Sequence, residues 1–209
     1  MRQVILAKTA GFCFGVNRAV ELVEQAARSE RRAVTLGPII HNHHVVRHFA
    51  DLGVRQVDAI SEIEDGETVI IRSHGVPRAA FEALAARGLS VIDATCPFVS
   101  RIHKLVAEAE QEGRQPVIIG QKNHPEVLAI AGWCAHPLVF ETAEELENWL
   151  GGAPERPYLP ISMFFQTTST KDSYEKCSEI AKKVCTNSKI FDTICGATEK
   201  RQEEATVLS

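Results

Sequence analysis

Residues 90–112, SVIDATCPFVSRIHKLVAEAEQE, join a short apolar run to a long amphipathic run through a single cysteine. Ser90–Asp93 has the length and apolar content of a buried strand. Val99–Glu112 has apolar side chains at the spacing of a helix, with Val99, Ile102, Val106 and Ala109 on one side. Short apolar runs and amphipathic runs alternate along the whole chain in this way. The alternation predicts parallel βαβ units and therefore an α/β fold.

The same reasoning predicts the secondary structure of the remaining chain. The predicted strands are Val4–Ala7, Ala33–Leu36, Thr68–Arg72, Ser90–Asp93, Pro116–Gly120, Leu138–Phe140, Tyr158–Ser162 and Lys189–Asp192. The predicted helices are Val16–Ser29, His44–Leu52, Arg78–Arg87, Val99–Glu112, Ala143–Leu150 and Thr170–Val184.

Composition excludes several classes of protein. The chain has 209 residues, of which 44% are hydrophobic and 24% charged, as in ordinary globular proteins. A net charge of −4, without a basic run interleaved with aromatic residues, argues against nucleic-acid binding. No segment approaches the roughly 20 apolar residues of a membrane helix, and the N-terminus does not resemble a signal peptide. We therefore expect a cytoplasmic protein with no membrane partner.

The chain contains six cysteines, which a reducing compartment would keep out of disulfides. No CxxC motif occurs, which disfavours zinc ribbons and thioredoxin motifs. Cys13 lies in the stretch KTAGFCFGVNRAV (8–20), where Gly11 and Gly15 allow a tight bend. Taken alone, this thiol could be a core residue, a nucleophile, half of a disulfide or a metal ligand.

Three cysteines share one sequence context. VIDATCP (91–97) and IFDTICG (190–196) both place an Asp three residues before a cysteine that ends a strand and opens a helix. Cys13 likewise lies between a predicted strand and a predicted helix. Because ligands collect beyond the carboxyl ends of parallel strands, Cys13, Cys96 and Cys195 could converge on a metal. A single such cysteine would more often be a buried packing residue. We expect Cys134, Cys177 and Cys185, which lack this context, to be core or surface thiols.

Three histidines also follow strands, in LGPIIHN (36–42), VIIRSHG (69–75) and VIIGQKNHP (117–125). Each of His41, His74 and His124 could be a surface or capping residue, but together they could form a pocket for phosphate or a metal. Glu126 follows His124 and could either complement the helix dipole or donate a proton. In FFQTTST (164–170), Thr167 could contact a substrate oxygen or cap a helix.

Several of these motifs, in the same order, closely resemble the 4-hydroxy-3-methylbut-2-enyl diphosphate reductases, the terminal enzymes of the non-mevalonate isoprenoid pathway. The resemblance runs from Met1 to Ser209. The motifs are GFCFGV, IIHN, RSHGV, DATCP, NHPEV, QTTST and DTICGAT followed by RQ.

The resemblance implies a fold, a cofactor and roles for individual residues. It implies three similar βα lobes in pseudo-three-fold arrangement around a central [4Fe–4S] cluster, held by Cys13, Cys96 and Cys195. It implies that His41, His74 and His124 bind the diphosphate of an allylic diphosphate substrate. Glu126 would deliver protons and Thr167 would contact the substrate hydroxyl, with His124 also counted in the catalytic set. Asn42, Gln166 and Thr168 would support these residues, and a ferredoxin or flavodoxin would supply the electrons.

The expected domain boundaries follow the cysteines. Residues 1–13 would form an N-terminal strand and cluster loop, 14–96 a first lobe, 97–194 a second lobe, and 195–209 the start of a third, truncated lobe. The resemblance also implies diphosphate-binding residues beyond position 209, so we expect the 209-residue chain to turn over slowly or not at all. Two other functions stay open, namely a mononuclear metal enzyme built from the same Cys and His residues, and a non-catalytic fragment that binds a cluster or a partner.

Overall fold

The strands of the computed structural model, which describes residues 4–29 and 32–208, form two four-stranded sheets with parallel pairing throughout. The first sheet has the order β2-β1-β3-β4, from β1 (Ala33–Leu36), β2 (Arg55–Val57), β3 (Thr68–Ile71) and β4 (Ser90–Asp93). The second has the order β6-β5-β7-β8, from β5 (Gln115–Ile119), β6 (Leu138–Phe140), β7 (Ile161–Phe165) and β8 (Ser188–Ile190). The α/β class predicted from the sequence is confirmed.

Helices connect the strands and precede each sheet. The first lobe, as we use the term, comprises the first sheet with α1 (Phe14–Ala27), α2 (His43–Asp51) and α3 (Arg78–Ala86). The second lobe comprises the second sheet with α4 (Pro97–Gln111), α5 (Pro125–Ala131), α6 (Ala143–Gly151) and α7 (Lys171–Val184). A last helix, α8 (Gly196–Leu208), follows Cys195. None of the helices in the described ranges is both long and apolar enough to span a membrane.

Side chains that alternate along the central strands cover both faces of each sheet. In the first lobe, Ile70 packs with Val23 of α1 and Phe49 of α2 on one face of the sheet. Val69 packs with Leu84 of α3 on the other face. In the second lobe, Ile118 and Phe164 pack against α4 and α5, and the alternate residues pack against α6 and α7. Because both faces are covered, the central strands are almost entirely apolar, as is usual for parallel sheets.

The shared strand order creates a ligand-binding position in each lobe. The chain leaves β1 towards β2 on one side and leaves β3 towards β4 on the other. The same divergence occurs between β5 and β7. Ligands of open parallel sheets bind where neighbouring connections diverge in this way, beyond the carboxyl ends of the strands. The loops that carry the predicted histidines start at these positions.

The predicted strand Val4–Ala7 was wrong. Residues 4–7 have irregular structure, and Val4 and Leu6 are 93% and 83% exposed. A strand is stabilised by backbone hydrogen bonds to a neighbour. Neither sheet in the described part of the chain places a strand beside these residues.

The strand predicted at Tyr158–Ser162 lies further along the chain, at Ile161–Phe165. Arg156–Tyr158 is a short 3₁₀ helix, and β7 begins at Ile161, directly after Pro160. Proline is tolerated at the entrance of a strand, where its missing N–H group does not interrupt the hydrogen bonds of the sheet. The short elements β2 and α5 were not predicted, because three and seven residues are too few for a clear periodic pattern.

Candidate active site

The three cysteines predicted to bind a metal line one cavity of about 180 Å³. Cys13 is the N-cap residue of α1, Cys96 is the N-cap residue of α4, and Cys195 directly precedes α8. All three thiols are partly buried. The other polar side chains that line the cavity are Ser73, His74, Glu126, Thr167, Thr168, Thr198 and Arg201. The fold thus gathers thiols and candidate acid–base groups from distant parts of the chain.

The three thiols are close enough to affect one another. Burial raises the pKa of the Cys96 thiol, and the backbone N–H groups of Phe98 and Val99 at the start of α4 act in the opposite direction. Cys13 and Cys195 raise the pKa of Cys96 further. Neighbouring thiolates repel one another, so a cation placed between them would favour the deprotonated form of all three.

The Asp that precedes two of the cysteines shapes the backbone that leads to them. Asp93 Oδ1 accepts a hydrogen bond from the N–H of Thr95 at 2.9 Å. Asp192 Oδ1 accepts one from the N–H of Ile194 at 3.2 Å. A side chain that accepts a bond from the backbone two residues later forms a local turn. The repeated Asp in the sequence therefore marks two equivalent turns at strand ends.

Each of these turns is tied to the neighbouring loop. The N–H of Cys96 donates to the carbonyl of Ser73, and the N–H of Cys195 donates to the carbonyl of Thr167, both at 2.9 Å. Ser73 precedes His74 in the loop after β3, and Thr167 lies in the loop after β7. The position of a cysteine is thereby fixed relative to a candidate substrate-binding residue in each lobe.

Gly15 leaves the space that the side chain of Cys96 occupies. A Cβ atom at position 15 would lie 2.5 Å from the Sγ of Cys96, which is closer than real Cβ contacts. Any other residue would therefore displace the Cys96 side chain from the cavity. Gly11 has a φ of +101°, a conformation that favours glycine, and it allows the turn before Cys13.

The loop before Cys13 is held by α8. Arg201 donates to the carbonyls of Thr9 at 3.2 Å and Gly11 at 2.6 Å. The carboxylate of Glu204 accepts from the backbone N–H groups of Lys8 at 2.6 Å and Thr9 at 2.8 Å. The hydroxyl of Thr9, followed by these N–H groups, lowers the pKa of Glu204. No local sequence pattern indicates this contact, because about 190 residues separate the partners.

The structure brings the three predicted histidines together. The ring centroids of His41 and His74 are 4.5 Å apart, and each lies 5.5 Å from that of His124. One ring nitrogen from each residue lies within 4.8 Å of the other two. His41 and His74 follow strands of the first lobe, whereas His124 follows β5 of the second. The group therefore spans the two lobes.

Two of these histidines, His74 and His124, have lowered pKa values, which favours their neutral forms. Burial lowers the pKa of His74 to about 3, with His41, His124 and Arg72 contributing. Burial also lowers the pKa of His124, again with contributions from His41 and Arg72. The histidines and Arg72 disfavour positive charge on one another, and an anionic ligand among them would relieve this repulsion. The motif RSHGV contains Arg72, whose electrostatic role the sequence analysis missed.

The hydrogen bonding of His124 favours an anion over a metal in the histidine group. His124 Nδ1 accepts a hydrogen bond from the backbone N–H of Glu126 at 3.1 Å. A neutral imidazole carries one proton, so that of His124 is on Nε2. Nε2 is then a hydrogen-bond donor without a free electron pair for a metal ion. Donors of this kind suit phosphate oxygens.

Glu126 and Thr167 form a buried pair. Glu126 is only 3% exposed, and its two carboxyl oxygens face Thr167. The backbone N–H of Thr167 donates to Oε1 at 2.6 Å, and the hydroxyl of Thr167 lies 2.7 Å from Oε2. Burial raises the pKa of Glu126, although the hydrogen bonds from Thr167 oppose this shift. A carboxyl group with a raised pKa, beside a hydroxyl in a cavity, can hold and transfer a proton.

The remaining candidates have structural contacts. Asn42 Oδ1 caps α2 by accepting from the N–H groups of His44 and Val45. Gln166 accepts from the N–H of Gln121 at 3.0 Å and donates to the hydroxyl of Thr168 at 2.9 Å. The other three cysteines lie outside the cavity lining. Cys177 and Cys185 belong to the apolar core of the second lobe, and Cys134 packs against a separate core cluster.

The fold and the site define a two-lobed parallel α/β protein in which three thiols line one cavity and three histidines form a close group. The model of the LytB protein family matches residues 4–209, and the chain belongs to this family. A 4-hydroxy-3-methylbut-2-enyl diphosphate reductase from Aquifex aeolicus is 42% identical over 215 residues, which cover 100% of this chain and 72% of that protein. The reductase of the same name from Caldanaerobacter subterraneus subsp. tengcongensis is 38% identical over 213 residues, covering 99% of this chain and 72% of the relative.

Solved structures agree with this relationship. One structure of (E)-4-hydroxy-3-methyl-but-2-enyl diphosphate reductase, described as the terminal enzyme of the non-mevalonate pathway, is 40% identical to this chain with a TM-score of 0.80. The similarity covers 98% of this chain and 72% of that one. The E-1-hydroxy-2-methyl-but-2-enyl-4-diphosphate reductase from Plasmodium falciparum is 27% identical with a TM-score of 0.84, covering 92% of this chain and 61% of that one.

Proposed function

We propose that the chain removes the hydroxyl group of 4-hydroxy-3-methylbut-2-enyl diphosphate with two electrons and two protons. The products are isopentenyl diphosphate, dimethylallyl diphosphate and water. The observation that supports this function best is the cavity lined together by Cys13, Cys96, Cys195 and the Glu126–Thr167 pair. Three thiols beside a buried carboxyl group support a reductive dehydroxylation, which needs a centre for electron transfer and a proton donor.

The chemistry of the three thiols suits a [4Fe–4S] cluster. Iron–sulfur clusters are held by cysteine thiolates, and Cys13, Cys96 and Cys195 offer three around one cavity of about 180 Å³. The absence of a Cβ at Gly15 leaves the space in which Cys96 Sγ lies. When bound by these three cysteines, the cluster would supply electrons and Lewis-acid chemistry at the substrate hydroxyl group.

The histidine group would bind the diphosphate. His124 presents Nε2–H as a donor, and His41 and His74 lie beside it in the same group. A hydrogen bond between a neutral donor and a phosphate oxygen is stronger than one between neutral groups. Arg72 adds positive charge near the group, as its effect on the pKa of His74 and His124 indicates.

Glu126 would deliver the proton that converts the leaving hydroxyl group into water. Its raised pKa keeps Oε2 protonated nearer to neutral pH than an ordinary glutamate. Thr167 Oγ1, 2.7 Å away, can receive this proton while it gives its own to the substrate oxygen. The second proton of the reaction goes to carbon and determines which of the two products forms.

The proposal also includes an electron donor and a location in the cell. The two electrons must come from a reducing partner, and we propose a ferredoxin or a flavodoxin. All six cysteines are free thiols, as expected in a reducing compartment. This supports our proposal of a cytoplasmic location.

Anaerobic purification, followed by measurement of iron, acid-labile sulfide and substrate turnover, tests the proposal. We expect a brown protein with about four irons and four sulfides per chain, as a [4Fe–4S] cluster requires. A colourless protein that holds zinc would instead identify a mononuclear metal enzyme. A cluster without turnover would indicate a binding function only.

A further inference from the structure

Two short segments join the lobes directly, and we call them the interlobe latch. Residues 76–78 follow His74 in the first lobe, and residues 132–133 follow α5 in the second. The indole Nε1–H of Trp133 donates to the carbonyl of Val76 at 3.0 Å. In the opposite direction, the backbone N–H of Arg78 donates to the carbonyl of Gly132 at 3.2 Å. The guanidinium of Arg78 donates to the carbonyl of Trp133 at 3.3 Å.

The ring of Trp133 is fixed on both sides. It stacks on His103 of α4 with ring centroids 5.0 Å apart and an interplanar angle of 14°. The guanidinium carbon of Arg78 lies 5.3 Å from the ring centroid of Trp133. His103 is 3% exposed, and burial lowers its pKa to about 4, so the stacked imidazole is neutral. His103 in turn packs against Gly75, where a Cβ would lie 2.5 Å from its Cε1 atom.

The two segments of the latch are in close contact at Gly132 and Pro77. A Cβ at Gly132 would lie 2.4 Å from the Cβ and 2.9 Å from the Cα of Pro77. The latter atom belongs to the backbone, so relief of the contact requires the lobes to move apart. Glycine at position 132 is thus required by the close approach of the lobes, since its backbone conformation suits any residue.

Each segment of the latch is close in sequence to residues that we propose bind the substrate. Val76 is two residues from His74. Gly132 ends α5, a helix of seven residues whose N-cap is His124 and whose first turn carries Glu126. A helix of this length is about 10 Å long and moves as a rigid unit. A displacement at Trp133 would therefore change the distance between His74 and His124.

We propose that Trp133 is a positioning residue that sets the spacing of the diphosphate-binding histidines across the two lobes. This inference rests on the proposed function of the histidine group. Trp133 does not line the cysteine cavity and acts through the latch. Binding sites lose affinity when their donors are displaced by fractions of an ångström, because each hydrogen bond depends on distance and angle.

The Trp133→Phe variant tests the latch, because phenylalanine can stack on His103 but cannot donate to Val76. Trp149→Phe is the matched control, since Trp149 also lies under an arginine, with the guanidinium carbon of Arg156 5.2 Å from its ring centroid. The measurement is the dissociation constant for inorganic diphosphate, by calorimetry on iron-loaded protein. We expect Trp133→Phe to bind about 3–10-fold more weakly with unchanged iron content, because a displaced histidine donor weakens about one hydrogen bond to the ligand. Trp149→Phe should bind normally even where its melting temperature falls.

Gly132→Ala gives a second test from the other side of the latch. Gly151→Ala adds the same methyl group where no atom lies within 4 Å, and it serves as the control. We expect weaker diphosphate binding in Gly132→Ala alone. Normal dissociation constants in both Trp133→Phe and Gly132→Ala would overturn this inference and leave the proposed function intact. A failure of the unaltered, iron-loaded protein to bind diphosphate would overturn both.

Discussion

Glu126 is an ionisable residue in an almost fully buried position, and Thr167 is the partner that stabilises it there. Removal of a carboxylate from water without hydrogen bonds costs several kcal/mol. Thr167 supplies one donor to each oxygen of the Glu126 carboxyl group. These two donors stabilise the charged form, and when Oε2 is protonated the hydroxyl of Thr167 can accept a hydrogen bond from it instead. Both forms are then hydrogen-bonded, which suits a group that releases and regains a proton in each cycle.

The Glu126→Gln variant should lose most of the turnover that the otherwise identical protein shows, but keep its cluster. Glutamine retains the shape and can still accept the N–H of Thr167, but it has no proton to transfer. General acid–base steps contribute about 10²–10⁴-fold, so we expect a decrease of that size in kcat. Turnover assays and iron analysis measure the two effects separately. Glu147→Gln, an exposed residue on α6, is the control. A nearly normal kcat would show that Glu126 has a structural role only.

Stability should fall in acid because of His103. Its pKa is about 4 in the folded protein, below its usual value of 6.5, because burial disfavours the charged form. The unfolded chain therefore binds more protons between pH 6.5 and about 4, and the free energy of unfolding decreases as the pH falls through this window. One such group contributes up to about 1.4 kcal/mol per pH unit.

Urea unfolding at several pH values measures this effect in His103→Phe, which retains an aromatic ring against Trp133. The variant should show a smaller dependence on pH than the unaltered protein. His136→Phe, at an exposed position, should leave the dependence unchanged. Equal pH dependence in the unaltered protein and His103→Phe would contradict the assignment.

At the level of elements, a strand end, a cysteine and a helix form a repeated unit. Cys96 and Cys195 follow β4 and β8, the last strands of their sheets, and precede α4 and α8. Cys13 precedes α1 in the same manner. We expect replacement of any of these three cysteines by serine to remove the brown colour and most of the iron. Cys134→Ser, Cys177→Ser and Cys185→Ser should keep both, and normal iron in Cys96→Ser would contradict the ligand set.

The contact of α8 with residues 8–11 should control how firmly the cluster is held. Glu204→Gln removes the charge that accepts three hydrogen bonds from Lys8 and Thr9, so the loop before Cys13 becomes less ordered. We expect iron to be lost to a chelator several-fold faster than from the unaltered protein. The neighbouring Glu203 is exposed, and Glu203→Gln should lose iron at the normal rate. Equal rates in both variants would show that this contact does not hold Cys13.

The sequence predicted most elements because their patterns are local. The amphipathic runs identified α1, α4 and α7 to within a few residues, since helical periodicity is clear over fourteen or fifteen positions. The elements that it missed or displaced, β2, α5 and β7, are short or lie beside prolines. The strand predicted at Val4–Ala7 failed because strand formation depends on a neighbour, which no local pattern reveals.

For the whole molecule, repetition made the candidate site visible in the sequence. The two lobes have the same strand order, so the residues after β1 and β5 occupy equivalent places, as do those after β4 and β8. His41 and His124 form one such pair, and Cys96 and Cys195 another. Trp133, Arg201 and Glu204 have no counterpart of this kind. Their importance arises from contacts between distant segments, so only the structure shows them.

The placement of the three cysteines before, between and after the two lobes also affects the unfolded chain. Cys13, Cys96 and Cys195 are 83 and 99 residues apart, so a cluster that binds all three closes two long loops. In the chain-entropy model, closing a loop of about 100 residues removes denatured-state entropy worth about 4–5 kcal/mol. The cluster would then act as a covalent cross-link as well as a redox centre. Anaerobic removal of the iron should lower the melting temperature by many degrees, and it should also make the two lobes unfold in separate transitions.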